Sequence, residues 1–330
     1  MRSPKALIAA FVSIMAFAAA LARIAAAHPA GSPQESAGQQ DSGQGTVIRK
    51  EVSLVNLFAT VRDKSRRLVP DLTQNDFRIL EDNQEQKVAF FSRETKLPIT
   101  LGLLIDTSGS EQNRLMAEQE AASRFLRRVM RKGDETMIMT FDIEVDLLAD
   151  FADDPSQLDA AIRRARVNAP NAPVTPTTFP TGPDGTHFYD AIYLACHDKL
   201  AQEAGRKALV IITDAEDFGS KLRLEEAVEV AQRTDTVVHI LLVHDPGYGT
   251  RPDVAKKIAD ETGGRVIDVG SGKHIEEAFD QISEELRSQY TLSYYPTNSA
   301  RDGRFRKIKV EVPGKDMKIL TRKGYYAARD

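Results

Sequence analysis

Four apolar segments of this sequence end abruptly in an aspartate, a residue whose carboxylate can bind a metal ion. The four residues are Asp106, Asp142, Asp214 and Asp245. In open α/β sheets, ligands bind outside the carboxyl ends of the strands. Carboxylates gathered at such an edge repel one another unless a cation or hydrogen bonds compensate them. For Asp142 and Asp245 we favour a simpler role, which is to cap the helix or turn that follows.

Asp106 begins a run of closely spaced oxygen ligands. The run reads Asp-Thr-Ser-Gly-Ser, so Ser108 and Ser110 follow at a spacing of two, with Gly109 between them. Glycine permits unusual backbone angles, and one carboxylate with two hydroxyls supplies the hard oxygen ligands that Mg²⁺ prefers. The alternative is a cluster of capping serines in front of a helix that begins near Leu115.

At the end of an apolar segment and in front of a helix, this run resembles the metal-ion-dependent adhesion site of the von Willebrand factor type A family. That family combines D-x-S-x-S with a distant threonine and a distant aspartate. The segment Gly185–Ala191 resembles the threonine segment, and Asp214 resembles the last ligand. The resemblance therefore implies a site for Mg²⁺, or for Mn²⁺ or Ca²⁺, formed by Asp106, Ser108, Ser110, Thr186 and Asp214.

The resemblance also implies how these residues act. The three hydroxyls would be direct or near ligands, and the two carboxylates would act directly or through water. The family often has glycine after its last aspartate, where this sequence has Ala215. This departure affects the expected loop geometry more than the expected metal binding.

The resemblance covers residues 98–288 and implies an α/β fold with a doubly wound, mostly parallel sheet. Short apolar segments alternate here with amphipathic helical stretches, a pattern typical of a sheet with helices on both faces. The predicted strands are Ile99–Ile105, Thr136–Phe141, Ala208–Thr213, Val237–Val243 and Arg265–Val269. The predicted helices are Leu115–Met130, Pro155–Arg166, Phe188–Ala204, Leu222–Thr234, Pro252–Thr262 and His274–Arg287.

Two segments with β patterns flank this region, residues 46–97 and 289–330. Phe77–Glu81 and Gln86–Phe91 predict an antiparallel hairpin around Asp82–Glu85. Further strands are predicted at Val52–Val61, Tyr290–Tyr295, Phe305–Val312 and Met317–Leu320. We expect the two segments to pack together as a small accessory β domain.

Parts of the flanking segments resemble those of a VWFA-related group of exported bacterial proteins, described mainly in acidobacteria. These parts are Asp71–Asp82, Tyr290–Pro296 and Arg322–Tyr326. Their strings are less specific than the metal motif, because other β segments of similar composition can mimic them.

The first 27 residues are unlike the rest. Arg2 and Lys5 precede an uncharged, mostly apolar run from Ala6 to Ala22, and alanines suited to cleavage follow before His28. This pattern predicts a signal peptide at residues 1–27, the alternative being an uncleaved membrane anchor. Residues 28–45 are rich in Gly, Ser, Gln, Pro and Ala and are predicted to form a flexible linker. We therefore expect an exported protein, periplasmic or extracellular.

Composition excludes several classes of function. The formal charge of −4 provides no basic surface, so we expect no nucleic-acid partner. A single cysteine, Cys196, excludes an intrachain disulfide and a zinc site built on paired cysteines; we expect it to be a buried apolar residue. A serine hydrolase that uses Ser108 and His187 stays open as an alternative, although no G-x-S-x-G motif surrounds the serine.

The sequence as a whole predicts a protein-binding module without turnover. A partner's Asp or Glu carboxylate would complete the coordination of the cation. A third possibility is a purely structural metal that holds three loops together. The proline-rich segment 168–185 runs directly into Thr186 and is a hypothetical determinant of partner selectivity. We expect no membrane contact beyond the N-terminal anchor, if residues 1–27 are retained.

Overall fold

The computed structural model describes residues 54–94, 97–167, 185–244, 249–314 and 316–329. The predicted signal peptide, the predicted linker, residues 168–184 of the proline-rich segment and Asp245 lie outside these ranges. None of the helices within the ranges combines the length and the apolar character that crossing a bilayer requires.

Strands and helices follow one another along the described residues. The strands are β1 (Val55–Arg62), β2 (Arg78–Glu81), β3 (Gln84–Gln86), β4 (Val88–Glu94), β5 (Ile99–Asp106), β6 (Glu135–Phe141), β7 (Val145–Ala152), β8 (Arg206–Thr213), β9 (Thr236–Val243), β10 (Val266–Gly270), β11 (Gln289–Tyr294), β12 (Phe305–Glu311), β13 (Lys318–Leu320) and β14 (Gly324–Tyr326). The helices are α1 (Leu115–Val129), α2 (Pro155–Ile162), α3 (Phe188–Leu194), α4 (Leu224–Arg233), α5 (Pro252–Thr262) and α6 (Ile275–Leu286).

The central sheet has the strand order β10-β9-β8-β5-β6-β7. Its strands pair in parallel, except that β7 pairs antiparallel with β6 at one edge. From β5 the chain moves first to β6 and β7 on one side, and later to β8, β9 and β10 on the other. The carboxyl end of β5 is therefore a topological switch point, where open α/β sheets bind ligands.

Helices cover both faces of this sheet. Leu103 and Ile105 of β5 belong to the core beneath α1, α2 and α6, whereas Leu104 belongs to the core beneath α3, α4 and α5. Alternate residues thus enter separate cores, as expected of a strand that is buried on both faces. A side chain at Gly102 would clash, because a Cβ there would lie 2.4 Å from the Leu209 side chain.

This arrangement confirms the predicted α/β fold with its mostly parallel sheet, and the predicted strands correspond to β5, β6, β8, β9 and β10. Strand β7 is not predicted by the sequence pattern, because buried and exposed residues do not alternate along it. The helix predicted over residues 188–204 is α-helical only as far as Leu194; it continues as a π-helical segment, Ala195–Lys199, and a 3₁₀ turn, Leu200–Gln202.

The remaining strands of the described residues form two further sheets, with the orders β13-β1-β11-β4 and β14-β12-β2-β3. Both sheets combine strands from before and after the α/β region. Leu57 of β1 lies opposite Leu292 of β11, and Ile79 of β2 lies opposite Val310 of β12. Side chains of the two sheets share a third apolar core. The domain boundaries given above stay a prediction.

The predicted hairpin is only partly correct. Asp82 and Asn83 have φ angles of +47° and +67°, as in a two-residue turn with two left-handed positions. The second strand therefore resumes early, as β3, with Gln86 opposite Ile79. After Lys87 the chain joins the other sheet, where β4 pairs with β11. The predicted continuous strand Gln86–Phe91 is wrong, because this stretch crosses from one sheet to the other.

A buried carboxylate links a flanking strand to the α/β region. Glu285 of α6 is 0% exposed and forms ion pairs with Arg62 of β1 and with Arg265, which precedes β10. Two guanidinium groups therefore share one carboxylate that is shielded from water. Removing a partner from such an arrangement is costly, because the remaining buried charges are left uncompensated.

Cys196 is expected to resist alkylation in the folded protein. Its side chain is fully buried, as predicted, and burial raises the pKa of the thiol to about 12. Because the thiolate is the nucleophile, we expect negligible reaction with iodoacetamide near neutral pH in native protein and complete reaction in urea. Mass spectrometry measures the label, with glutathione as the reactive control. Rapid labelling of native protein would show that the thiol is accessible.

Candidate metal centre

Asp106 is the last residue of β5, and its side chain is fully buried. The backbone N–H of Ser108 donates to its Oδ1 at 3.0 Å, and the hydroxyl of Thr213 donates to its Oδ2 at 2.7 Å. Thr213 is the last residue of the neighbouring strand β8. The carboxylate is therefore fixed at the switch point by a backbone group of the loop that follows β5 and by a side chain of the adjacent strand β8.

Ser108 and Ser110 lie in the loop that follows β5. Their hydroxyl oxygens are 3.0 Å apart, and both residues are buried. Ser110 belongs to a short 3₁₀ turn, Gly109–Glu111, and α1 begins only at Leu115. Neither the turn nor α1 has a side-chain cap, so the serines do not act as capping residues. The side chain of Ser108 hydrogen-bonds to the Asp106 carboxylate instead, and the Ser110 hydroxyl contacts that of Ser108.

Asp214 follows β8 directly and is 3% exposed. Its Oδ1 accepts a hydrogen bond from the backbone N–H of Glu216 at 3.0 Å, and its backbone carbonyl accepts one from the N–H of Arg251 at 2.9 Å. The next residue, Ala215, has a φ angle of +61°, a left-handed conformation that costs a non-glycine residue about 1–2 kcal/mol. The loop thus adopts a glycine-like conformation although alanine occupies the position.

Thr186 reaches the same edge of the sheet from a separate segment. Its backbone N–H donates to the carbonyl of Phe218 at 3.0 Å, and the N–H of Phe218 donates back at 2.9 Å. Phe218 lies four residues after Asp214 in the loop that follows β8. Thr186 is 6% exposed and is held next to the Asp214 loop by this backbone pairing.

Asp142 connects the Thr186 segment to the Asp106 loop. Its backbone carbonyl accepts a hydrogen bond from the N–H of His187 at 2.7 Å, and its Oδ2 accepts one from the hydroxyl of Thr107 at 2.9 Å. Its Oδ1 also accepts from the N–H of Glu144 at 3.1 Å, as a residue that caps a turn does. The three loops of the site are therefore linked through hydrogen bonds.

A buried charged cluster, which the sequence pattern did not predict, lies directly behind the serine loop. Glu111 and Glu118 are 0% exposed, and Arg114 lies between them, 3.0 Å from Glu111 and 3.8 Å from Glu118. Arg114 also donates to the carbonyls of Ser110 and His244, each at 3.0 Å. The acid–base–acid spacing of three and four residues was a usable signal, because such residues are neighbours on a helix.

Burial, and then repulsion between neighbouring carboxylates, shapes the electrostatics of the site. Burial, followed by the charges of Glu111 and Asp214, raises the pKa of Asp106 well above its ordinary range. Burial also raises the pKa of Glu111, against the opposing effect of Arg114. Burial and the charge of Glu111 raise the pKa of Glu118. These carboxyl groups ionise against one another, so the protein has concentrated negative potential at this point.

The donor set fits a small hard cation. It combines two carboxylates with three hydroxyls, all of them oxygen ligands of the type that Mg²⁺, Mn²⁺ and Ca²⁺ take. Within the described ranges, no three His, Cys, Asp or Glu side chains come together as a metal site on their own, so binding here would depend on the hydroxyls. A divalent cation would also offset the effects of burial and of the charges of Glu111 and Asp214, which raise the pKa of Asp106.

The alternative pairing of Ser108 with His187 gains no support. In the described part of the chain no hydrogen bond joins the two side chains. The Ser108 hydroxyl contacts Ser110, and the His187 imidazole packs against Gly219, where a Cβ would lie 2.9 Å from Nε2. A nucleophile and its base need to be within hydrogen-bonding reach.

The family model for the von Willebrand factor type A domain matches residues 101–216. This range contains β5, the serine loop, Thr186 and Asp214. The match supports the resemblance inferred from the motif and does not extend to the narrower group of exported bacterial proteins. No curated protein matches the chain.

Several solved structures are similar in fold. A von Willebrand factor type A protein from Catenulispora acidiphila is 12% identical over 85% of this chain and 75% of its own, with a TM-score of 0.49. Proximal thread matrix protein 1 from the mussel byssus is 13% identical over 63% of this chain, with a TM-score of 0.48. The match spans 51% of the mussel protein's own length. BatB from Bacteroides thetaiotaomicron is 18% identical over 57% and 97%, with a TM-score of 0.44.

Proposed function

We propose that this chain is an exported, metal-dependent protein-binding module without turnover, acting in the periplasm or outside the cell. Asp106, Ser108, Ser110, Thr186 and Asp214 would hold Mg²⁺, or Mn²⁺ or Ca²⁺, and a carboxylate of a partner protein would complete the site. The observation that carries this proposal is the arrangement at the switch point. There the buried Asp106 carboxylate, two adjacent serine hydroxyls and Asp214 meet on loops that share hydrogen bonds.

The charges around the site are compatible with an incoming carboxylate. When bound, the cation supplies a positive centre with a coordination position for an external oxygen. Arg114 offsets the charge of Glu111 through their ion pair, and burial favours the neutral form of Glu118. The two aspartates then balance a divalent cation, so one further carboxylate adds a single negative charge in a partly desolvated site.

Phe218 provides an apolar surface beside the site. Its side chain is 61% exposed, although its backbone is paired with Thr186. The surrounding loop is attached to the start of α3, because the N–H of Tyr189 donates to Asp217 at 3.1 Å and the N–H of Lys221 donates to Asp190 at 3.0 Å. Exposed aromatic residues on rigid supports are frequent anchors of protein interfaces, so we expect the partner to present an apolar group next to its carboxylate.

Carboxylates are expected to bind at the metal centre, with an advantage for those that carry an aromatic group. The probes are acetate and 3-phenylpropanoate, titrated into the Mn²⁺-loaded chain while the relaxation rate of water protons is recorded. A carboxylate that replaces a coordinated water lowers this rate. We expect 3-phenylpropanoate to bind more tightly than acetate, and we expect Phe218→Ala to reduce that difference by about threefold to tenfold.

Leu147→Ala is the matched control, because Leu147 is an exposed apolar residue of the edge strand β7, 45% exposed. It should leave the preference unchanged. If Mn²⁺ binds but neither carboxylate alters water relaxation, the centre has no position for a partner carboxylate. The structural alternative, in which the metal only joins the loops, then replaces the binding function.

A further inference from the structure

A second candidate binding site lies near the amino ends of the strands of the central sheet, whereas the metal centre lies at their carboxyl ends. It is a cavity of about 230 Å³ between the end of α5 and the segment that contains β13. Three lysines line it, and we call it the lysine cleft: Lys256, Lys318 and Lys323, with Asp260 and Thr321. Because α5 runs back towards the amino edge of the sheet, the cleft is separated from the metal centre by the length of the strands.

The floor of the lysine cleft is built by a close approach of two backbones. Gly263 ends α5 with a φ angle of +85°, and a Cβ there would lie 2.4 Å from the backbone nitrogen of Arg322. A Cβ at Gly264 would lie 1.9 Å from the carbonyl oxygen of Val238. The N–H of Lys323 donates to the carbonyl of Glu261 at 3.1 Å. The cavity is therefore bounded by backbone that is already fixed.

The charge of the lysine cleft is positive. Lys256, Lys318 and Lys323 are exposed, and no described residue forms an ion pair or a hydrogen bond with their ammonium groups. The only acidic residue among those lining the cleft is Asp260, so the lining carries two net positive charges. The cleft thus concentrates ammonium groups that the fold itself does not neutralise.

The carboxyl end of α5 lies at the cleft, but it repels a bound anion less strongly than the end of a helix usually does. A helix carries partial negative charge at its carboxyl end because its last carbonyls lack partners. Here the carbonyl of Ala259 accepts from the N–H of Gly264 at 2.8 Å, and the carbonyl of Ile258 accepts from the hydroxyl of Thr262 at 2.9 Å. The carbonyl of Glu261 accepts from Gln232 at 3.1 Å as well as from Lys323. These donors satisfy three carbonyls in the last turns of α5.

We propose that the lysine cleft binds a tetrahedral oxyanion, a phosphate or sulfate group, through the ammonium groups of Lys256, Lys318 and Lys323. The three lysines come from two backbone segments, α5 and the segment that contains β13, which suits an anion that accepts hydrogen bonds in several directions. The lining contains no arginine, whose planar fork matches a carboxylate through two parallel bonds. The cavity is also smaller than the 300–1,000 Å³ or so that is typical of sites for drug-sized ligands, so a single oxyanion group fits it.

The test uses equilibrium dialysis of the full chain with radiolabelled inorganic phosphate, at low ionic strength and in the presence of a chelator. We expect saturable binding that Lys318→Gln/Lys323→Gln weakens at least about tenfold, because charged hydrogen bonds contribute strongly to affinity. Because no divalent cation is present, the outcome does not depend on the metal centre.

The matched control is Lys87→Gln/Lys132→Gln, which removes the same charge from exposed lysines outside the cleft and should leave phosphate binding unchanged. Competition by sulfate and methyl phosphate, but not by acetate, would support a tetrahedral oxyanion. If methyl phosphate displaces the labelled phosphate as well as unlabelled phosphate does, the natural ligand is a phosphate monoester. If only unlabelled phosphate and sulfate displace it, the natural ligand is a free anion. Equal competition by acetate, or an unchanged affinity in the cleft variant, would overturn the proposal.

Discussion

Asp106→Ala is expected to abolish the binding of Mg²⁺ and Mn²⁺, with a loss of affinity of at least about a hundredfold. The substitution removes the carboxylate that the serine loop and β8 hold at the switch point, and it leaves only hydroxyls and Asp214 around the centre. Calorimetric titration of each metal into chelator-treated protein that lacks residues 1–27 measures the effect. We expect one binding site in the parent and none in the variant.

The control for this experiment is Asp268→Ala, since Asp268 is an exposed aspartate of β10 in the same sheet. Its metal affinity should equal that of the parent. Loss of metal binding with an unchanged circular dichroism spectrum supports the binding function, whereas a variant that no longer folds supports a structural metal. A parent that binds neither metal would contradict the assignment of the site.

Asp106→Asn separates the charge of this residue from its shape. A carboxyl whose pKa is raised by folding binds its proton more tightly in the folded state, so it favours folding at low pH. This contribution is lost as the pH rises from the ordinary value of 3.8 through the raised value. The metal-free parent should therefore lose stability over that range, and the variant should lose less. Urea unfolding at several pH values measures this. If the free energy of unfolding depends on pH equally in the parent and the variant, folding does not raise the pKa of Asp106.

Glu285→Ala is expected to lower the free energy of unfolding by about 3–5 kcal/mol. The variant leaves Arg62 and Arg265 without the carboxylate that they share, and the pocket is too buried for water to replace it. Arg62 belongs to β1, so the loss also weakens the attachment of the flanking sheet to α6. Urea unfolding followed by circular dichroism measures the effect.

Glu284→Ala is the matched control, because Glu284 precedes Glu285 on the same helix but is exposed. We expect it to change stability by no more than about 0.5 kcal/mol. Replacing all three charged residues by apolar ones of similar volume should recover part of the lost stability, because the desolvation of the charges is then removed. A loss below about 1 kcal/mol in Glu285→Ala would mean that the ion pairs contribute little.

The metal motif is local in sequence, which is why much of the site could be predicted. Asp106, Ser108 and Ser110 lie within five residues, and the apolar segment before them predicts the strand that presents them. Thr186 and Asp214 required the family resemblance, because only the fold brings distant segments to one edge. The cluster of Glu111, Arg114 and Glu118 was missed because charged residues at helical spacing ordinarily indicate an exposed face.

The strands also differ in how readily the sequence predicts them. Strands buried on both faces have continuous apolar segments, so β5 and β9 are evident in the sequence. Strand β7 lies at an edge of the sheet and lacks both continuous burial and alternation. The turn at Asp82 and Asn83 places non-glycine residues in left-handed conformations. Because this turn is short, the second strand of the hairpin begins two residues earlier than predicted.

The pairing of β1 with β11 also constrains the order in which the chain folds. Asn56 and Ser293 share a hydrogen bond, although 237 residues separate them. Closing such a long loop is entropically costly, and contacts between distant residues slow folding. During synthesis, β1 emerges from the ribosome early and has no strand to pair with until the last part of the chain follows. An α/β region folded first would therefore provide the template on which the two flanking sheets assemble.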